Sequence, residues 1–274
     1  MTGEPFRQDA GYWEQPPCDA LKPYIRCFWG TLHPIAPQDA SATEAIPGLV
    51  IPDTCMDIIF DINYTQNHFS STFCTLDESS YRTSSTPCPD IIATFGIRFY
   101  AWTANLFADW DFTGSKNQCF EAKPLFRQLT KVLEPVLFDI PDLFGKMQLA
   151  ESVLLSMLSH RQPEANLLNT VHRLLRSNGR AKISDLTDYA AISPRKLERI
   201  FQRYMGLSPK SFASLVRYQL LWQDMATNPY FDVLDAVEKY GYTDQAHLLN
   251  DFKRRHLMNP KEALAFALKA CAAK

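Results

Sequence analysis

The chain of 274 residues predicts an α+β protein. A small β-barrel with accompanying helices is expected first, then an all-α domain of two helix-turn-helix units joined by one long helix. Three observations carry this expectation. Short β-rich runs bounded by turn residues follow one another from Leu21 to about Phe112. The hydrophobic period becomes helical near Pro124 and stays helical to the end. Between Ser184 and Pro260 one pattern occurs twice: a short apolar-patterned helix, a tight turn, and a second helix with a capping residue at its start.

Composition narrows the class. Hydrophobic residues make up 46% and charged residues 21%, which is ordinary for a soluble globular protein. No apolar run approaches the ~18 residues that span a bilayer. Met1 to Arg7 lacks the basic head and apolar core of a signal peptide. A cytoplasmic location without membrane insertion is therefore expected. There are seven cysteines, Cys18, Cys27, Cys55, Cys74, Cys88, Cys119 and Cys271. Their number is odd and no pair has the C-x-x-C spacing of a zinc site, so reduced, mostly buried thiols are expected, with no metal and no cofactor.

The net charge of −2 hides an asymmetry. Residues 164–274 hold 17 Lys and Arg against 11 Asp and Glu, and residues 1–163 hold 11 against 19. A basic half suits phosphate and an acidic half does not. The expected organisation is a β-rich domain over 1–120, a helical packing or dimerisation segment with linker over 121–163, and a DNA-binding domain over 164–274.

Residues 1 to about 20 are polar, contain Pro16-Pro17, and read as an arm. Strands are expected at Tyr24–Gly30, Cys55–Ile62 and Ile91–Phe99, with Gly48–Asp53 leading into a turn. Ser70 to Pro89, rich in Ser, Thr and Pro, reads as loops and short edge strands. Leu125, Leu129, Val132 and Leu133 mark a helix stopped near Pro135, and Pro141 opens another. In that helix, positions 143, 147, 150, 154 and 157 step by 4, 3, 4 and 3, the spacing of a coiled-coil seam. The seam either packs on its own barrel or forms a dimer interface, and both readings stay open. Residues 160–164 read as a linker.

From Ala165 the chain is helical. Leu167, Leu168, Val171, Leu174 and Leu175 mark an opening helix, closed by Ser177-Asn178-Gly179. Ser184, Ser193, Ser208 and either Thr243 or Asp244 are capping residues, and Pro194 and Pro209 stand at first helical positions. The connecting helix runs to about Thr227.

A reading helix hides one face and offers the other to a major groove. In the first, Leu197, Ile200 and Phe201 point inward while Arg195, Glu198, Arg199 and Gln202 point outward. Arg pairs with guanine O6 and N7, and Glu accepts from cytosine N4. Lys196 and Arg203 suit phosphate. In the second, Leu248 and Phe252 point inward, and Gln245, Ala246, Leu249 and Asn250 outward. Gln and Asn suit adenine, and Ala and Leu only a thymine methyl. Lys253, Arg254 and Arg255 suit phosphate, and His247 and His256 read as polar or phosphate-contacting residues rather than metal ligands.

Residues ~165 to ~268 resemble the DNA-binding domain of the AraC/XylS family of transcription regulators. The resemblance rests on Ala190, Ser193, Leu197, Phe201, Gly206, Ser208-Pro209 and Arg217, then on Val237, Gly241 to Leu248, Phe252-Lys253 and Pro260. It implies that the two reading helices enter successive major-groove segments through the outward residues already named. The chain departs from the family pattern at Ala191 and Leu257, which stand where glycine is usual, at Asn259, and at Leu249, which stands where a polar residue is usual.

Leu21 to Trp29, Ile51 to Phe60 and Phe95 to Phe99 resemble the cupin-like sensor domains that precede some AraC-type domains, with Thr54 at a usual glycine. This resemblance implies a small-molecule effector and dimerisation. The residues expected around the effector are Trp29, Cys55, Asp57, Arg98, Tyr100 and Trp102. Arg98 either pairs an anionic effector or neutralises an acidic neighbour, and the two readings are equal. The absence of a His-x-His motif argues against a metal cupin enzyme. The expected function is thus an effector-responsive, sequence-specific, homodimeric DNA-binding transcription regulator, not an enzyme. Its partners are double-stranded DNA, a small-molecule effector and, if it is an activator, RNA polymerase. The alternative is a cysteine-dependent alkyl-transfer or other enzyme fused to a DNA-binding domain, with Cys55 or Cys27 as nucleophile.

Overall fold

A computed structural model describes residues 12–35, 48–83, 89–158, 161 and 163–272. Its strands are β1 (Tyr12–Gln15), β2 (Ile25–Thr31), β3 (Gly48–Val50), β4 (Cys55–Asn63), β5 (His68–Cys74), β6 (Tyr81–Thr83), β7 (Ile92–Tyr100) and β8 (Cys119–Glu121). Six form one antiparallel sheet in the order β1-β2-β7-β4-β5-β8, and β3 pairs with β6.

Strand alternation gives the large sheet two unlike faces. Phe28, Met56, Ile58, Phe60, Ile62, Phe73, Phe95, Ile97 and Phe99 are buried in the core. Phe28 stacks on Phe95 at 6.1 Å, and Phe126 meets Phe73 at 4.7 Å. The opposite face carries Trp29, Asp57, Thr94, Gly96 and Arg98, as the register Cys27↔Arg98↔Asp57 and Trp29↔Gly96 requires. Gly96 lies under the Trp29 indole, and a Cβ there would stand 2.1 Å from Trp29 Cε2.

Helix α1 (Arg127–Leu137) buries Leu129, Leu133 and Leu137, one per turn, and leaves Val132 exposed. Pro135 lies inside its last turn, where only one helical hydrogen bond is forfeited, and the helix ends at Leu137, near the expected stop. In α2 (Leu143–Leu158) the seam residues Leu143, Ala150, Leu154 and Met157 are buried within the chain.

The remaining helices are α3 (Ala165–Arg176), α4 (Ile183–Ala190), α5 (Pro194–Met205), α6 (Pro209–Thr227), α7 (Val233–Tyr240), α8 (Gln245–His256) and α9 (Pro260–Ala272). Both helix-turn-helix units and the connecting helix stand where the pattern predicts. The Ser193, Ser208 and Asp244 side chains cap α5, α6 and α8 by accepting N–H bonds from Lys196, Ser211 and His247.

Four local expectations are corrected. Tyr12–Gln15 is not arm but an edge strand on β2, while residues 1–11 lie outside the described residues. Ser70 to Cys74 continues β5, flanked by both β4 and β8 rather than lying in a loop or at an edge, because Phe69, Ser71 and Phe73 share the face that meets Ile62, Phe60 and Ile58; Tyr81–Thr83 is a short strand as expected, and residues 84–88 lie outside the described residues. Ser184 caps nothing, since α4 starts one residue earlier with Lys182 at its N-cap. Arg161, in the expected linker, is anchored: its guanidinium donates to the Leu106 and Ala108 carbonyls at 3.0 and 2.9 Å. Residues 159, 160 and 162 lie outside the described residues.

His256 is a core residue, not a phosphate contact. It is 1% exposed, its Nδ1 is 2.8 Å from the Tyr218 hydroxyl, and its ring stacks on Phe252 at 5.0 Å. Burial pushes its pKa down to about 4. The unfolded chain takes up this proton near the ordinary imidazole value of about 6.5. Stability from this group is therefore complete above that pH and falls as pH drops toward 4. Burial, and next the charges of Asp53 and Asp57, push Asp77 up to about 6, which acts with the opposite sign in an overlapping window.

Two predictions follow from these positions. Ala191 (φ 50°) and Leu257 (φ 61°) hold left-handed backbone at exposed helix ends. Replacing either by glycine is expected to stabilise the protein by roughly 1 kcal/mol, seen as a higher denaturant midpoint at unchanged slope; an unchanged midpoint would mean no strain there. Between pH 7 and pH 4.5 the native chain is expected to lose more thermal stability than His256→Gln. Parallel curves would show that the folded imidazole titrates normally.

Candidate nucleic-acid interface

Each reading helix is fixed on its inner side and open on its outer side. In α5, Leu197 and Phe201 are 0% exposed and Ile200 and Met205 are also buried. Arg195, Lys196, Glu198 and Arg199 are exposed, and Gln202 is half-buried. The Gln202 amide donates to Glu198 Oε1 at 3.2 Å, so an outward carboxylate and amide are held side by side. In α8, Leu248 and Phe252 are buried. Gln245, Ala246, Asn250, Lys253 and Arg254 are exposed, and Leu249 is half-buried. His247 is exposed above the cap, with its ring edge-on to Tyr242 at 5.3 Å.

The first turn passes through Ala191 and the second through Gly241 (φ 67°), both left-handed. Such turns end one helix abruptly and let the next cross it. On these turns the outward residues of α5 and α8 project away from the buried α6.

Two predicted phosphate residues are engaged elsewhere. Arg255 is 2% exposed. Its guanidinium reaches Ser214 Oγ at 2.9 Å, Asp251 Oδ1 at 3.4 Å and the Glu78 carbonyl at 3.4 Å. Successive helical residues turn by about 100°, so the third of three consecutive basic residues points back into the protein while Lys253 and Arg254 stay outside. Arg203 is exposed but faces Asp111 of the sheet domain at 3.8 Å. Asp251 Oδ1 also accepts from Arg254 at 2.5 Å.

These arginines mark a seam between the two halves. The Ser80 N–H donates to the Arg255 carbonyl at 2.6 Å, and the Phe112 N–H to the Arg203 carbonyl at 2.9 Å. The Gln219 amide donates to the Pro52 carbonyl. Trp102 meets Phe212 edge-on at 6.1 Å. The seam was not expected from sequence, since its sheet-side donors and acceptors are mostly backbone groups.

A basic groove was also missed. Arg173, Arg176 and Arg180, with His172, Asn178 and Tyr189, line a cavity of about 730 Å³ beside the first helix-turn-helix. Arg173 lies 5.1 Å over the Tyr189 ring. The 3- and 4-residue spacing of the arginines in the sequence was the available signal.

The six expected effector residues divide. Trp29, Cys55, Asp57, Arg98 and Tyr100 share one sheet face, and Trp102 lies past the end of β7. Trp29 Nε1 donates to Asp57 Oδ1 at 2.7 Å, and Arg98 Nε donates to the same oxygen at 2.9 Å. Arg98 also lies 3.6 Å from Glu14. This is the acid-neutralising arrangement of Arg98. Tyr100 stacks on Trp102 at 4.9 Å, which carries the face to the seam. The Cys27 and Cys55 thiols are buried, and burial pushes Cys27 up to about 12 and Cys55 well above the usual thiol range. Neither is an activated nucleophile. Among the described residues no group of His, Cys, Asp and Glu is arranged to hold a metal ion, and no helix is long and apolar enough to cross a membrane.

Comparison with known proteins agrees with the C-terminal geometry. Residues 186–265 match the helix-turn-helix domain family HTH_18, and residues 14–121 match a domain of unknown function, DUF6597. No curated protein matches. Similar solved structures include an AraC-type transcriptional regulator from Chromobacterium violaceum, 19% identical, covering 37% of this chain and 91% of its own at a TM-score of 0.35. ToxT from Vibrio cholerae is 11% identical, covering 87% of this chain and 98% of its own at a TM-score of 0.43. Unsaturated fatty acid bound ToxT is 10% identical, covering 87% and 95% at a TM-score of 0.40. With two capped helices turned outward from one buried connector, residues 186–265 form a helix-turn-helix domain of the matched family.

Proposed function

We propose that this chain is an AraC-type DNA-binding transcription regulator that reads its operator through Arg195, Glu198, Arg199 and Gln202 in one major-groove segment and Gln245, Ala246, Leu249 and Asn250 in the next. Lys196, Arg203, Lys253 and Arg254 hold phosphate. Arg203 does so after leaving Asp111, an exposed pair that is worth little. The observation that carries this reading is the outward exposure of Arg195, Glu198 and Arg199 on a helix whose other side is buried. The first helix supplies most base discrimination, because Ala246 and Leu249 offer only apolar contact.

The sheet domain is the control element in this proposal. A small-molecule effector enters the polar face that carries Trp29, Asp57 and Arg98. Its signal passes by Tyr100 and Trp102 to Phe212 on α6. The support is the stacking chain from that face to the connecting helix. A homodimer forms through the outer sides of α1 and α2, where Val132, Val136, Phe144 and Leu155 are exposed, since the α2 seam itself is used inside the chain. The protein works in the cytoplasm, and as an activator it would contact RNA polymerase.

Arg199→Ala is expected to cost roughly 1–3 kcal/mol on the best operator and to relax specificity. Lys253→Ala should weaken binding to all duplexes alike. Competition binding with operator and scrambled duplexes separates the two. Equal, sequence-independent losses would mean that α5 does not read bases.

A further inference from the structure

Cys74 and Cys119 are register partners on β5 and β8, and their sulfurs are 2.7 Å apart. The next pair along, Thr75 and Gln118, is the hydrogen-bonded one, with the Thr75 N–H on the Gln118 carbonyl at 3.1 Å. The ladder therefore places Cys74 opposite Cys119 at a non-hydrogen-bonded position, where facing side chains come closest. Such a pair has the Cα and Cβ separations that a disulfide needs. Cys119 is exposed and Cys74 half-buried. Cys119 also lines an open cavity of about 520 Å³ with Thr72, Phe120, Lys123 and Glu134, so an oxidant reaches it. Cys119, the more accessible of the two, is placed to attack an oxidant, and the half-buried Cys74 sulfur beside it is placed to resolve.

We propose that Cys74 and Cys119 are a redox modification site, forming a reversible disulfide when hydrogen peroxide is the oxidant. The Cys119 thiolate attacks one peroxide oxygen, the O–O bond breaks, and the other oxygen leaves as water after taking up a proton. The Cys74 thiol then attacks the sulfenic sulfur, the S–S bond forms, and the hydroxyl leaves as a second water with the Cys74 proton. Two thiols are oxidised by two electrons in all, and one peroxide is reduced to two waters.

The bond would close the segment 75–118, which carries Glu78, Ser80, Trp102, Asp111 and Phe112. These are the sheet-side seam residues that meet Arg255, Phe212 and Arg203. Pro52 is the one seam partner described above that lies outside the loop. Closing the loop therefore changes how firmly the sheet domain holds the DNA-binding half. This consequence rests on the control role proposed above for the sheet domain; formation of the bond does not.

The test treats the full-length protein with hydrogen peroxide, alkylates remaining thiols, digests without reductant and maps peptides by mass spectrometry. The expected product joins the Cys74 and Cys119 peptides with the loss of two hydrogens and is reversed by dithiothreitol. Cys119→Ser should leave Cys74 alkylatable. Free alkylation of both cysteines after peroxide, Cys119 ending as sulfinic acid without a cross-link, or pairing with another cysteine would overturn the site. Operator affinity of oxidised and reduced protein is then compared, and a change of about 5-fold or more is expected. Equal affinities, with the disulfide present, would overturn its link to DNA binding alone.

Discussion

Everything that positions the two reading helices depends on the burial of α6. Phe212, Leu215, Val216, Tyr218, Leu221, Trp222 and Met225 are all buried along it. Phe212 packs on Phe201 of the first reading helix at 6.0 Å, and Tyr218 and Trp222 pack on Phe252 of the second at 5.7 and 6.1 Å. Phe212 and Gln219 also meet the sheet domain at Trp102 and Pro52. One helix thus packs on both reading helices and the sheet domain at once. Burial of each large apolar side chain contributes roughly 1.5–3 kcal/mol, so any rearrangement that lifts α8 or the sheet domain off α6 exposes several such groups together.

The helix-turn-helix units were legible because their determinants are local. Caps, left-handed turn residues and inward apolar spacing all lie within one stretch of chain, and the pattern occurs twice. Strands β2, β4 and β7 were legible for the same reason. What escaped was decided by distant partners. Tyr12–Gln15 becomes a strand only because β2 offers an edge. Arg255 groups with its basic neighbours in sequence, but its carbonyl and guanidinium meet Ser80 and Glu78, far back in the chain. His256 looks polar in sequence, yet Tyr218 and Phe252 enclose it. The facing of Cys74 and Cys119 needs the β5–β8 register, which no local pattern states. Five of the residues expected around an effector share one face by strand alternation, while their pairing with one another could be seen only in three dimensions.

That polar face is already satisfied internally. Arg98 is held by Asp57 and Glu14, and Trp29 shares the same Asp57 oxygen. A buried pair of this kind recovers its desolvation cost only while its hydrogen bonds stay intact. A ligand entering there must therefore replace those bonds, not merely add to them. Arg98 stands on β7, whose end leads by Tyr100 and Trp102 to α6. The sheet domain and the reading helices are in this way mechanically adjacent, with seam bonds that are mostly to backbone groups.

Helix α6 holds both helix-turn-helix units as one body. Hydroxyl-radical footprinting of the full-length chain on a selected duplex operator tests it most directly. Protection facing two successive major-groove segments on one side of the duplex is the predicted result. Protection around a single segment, unchanged when the outward residues of α8 are replaced by alanine, would contradict it.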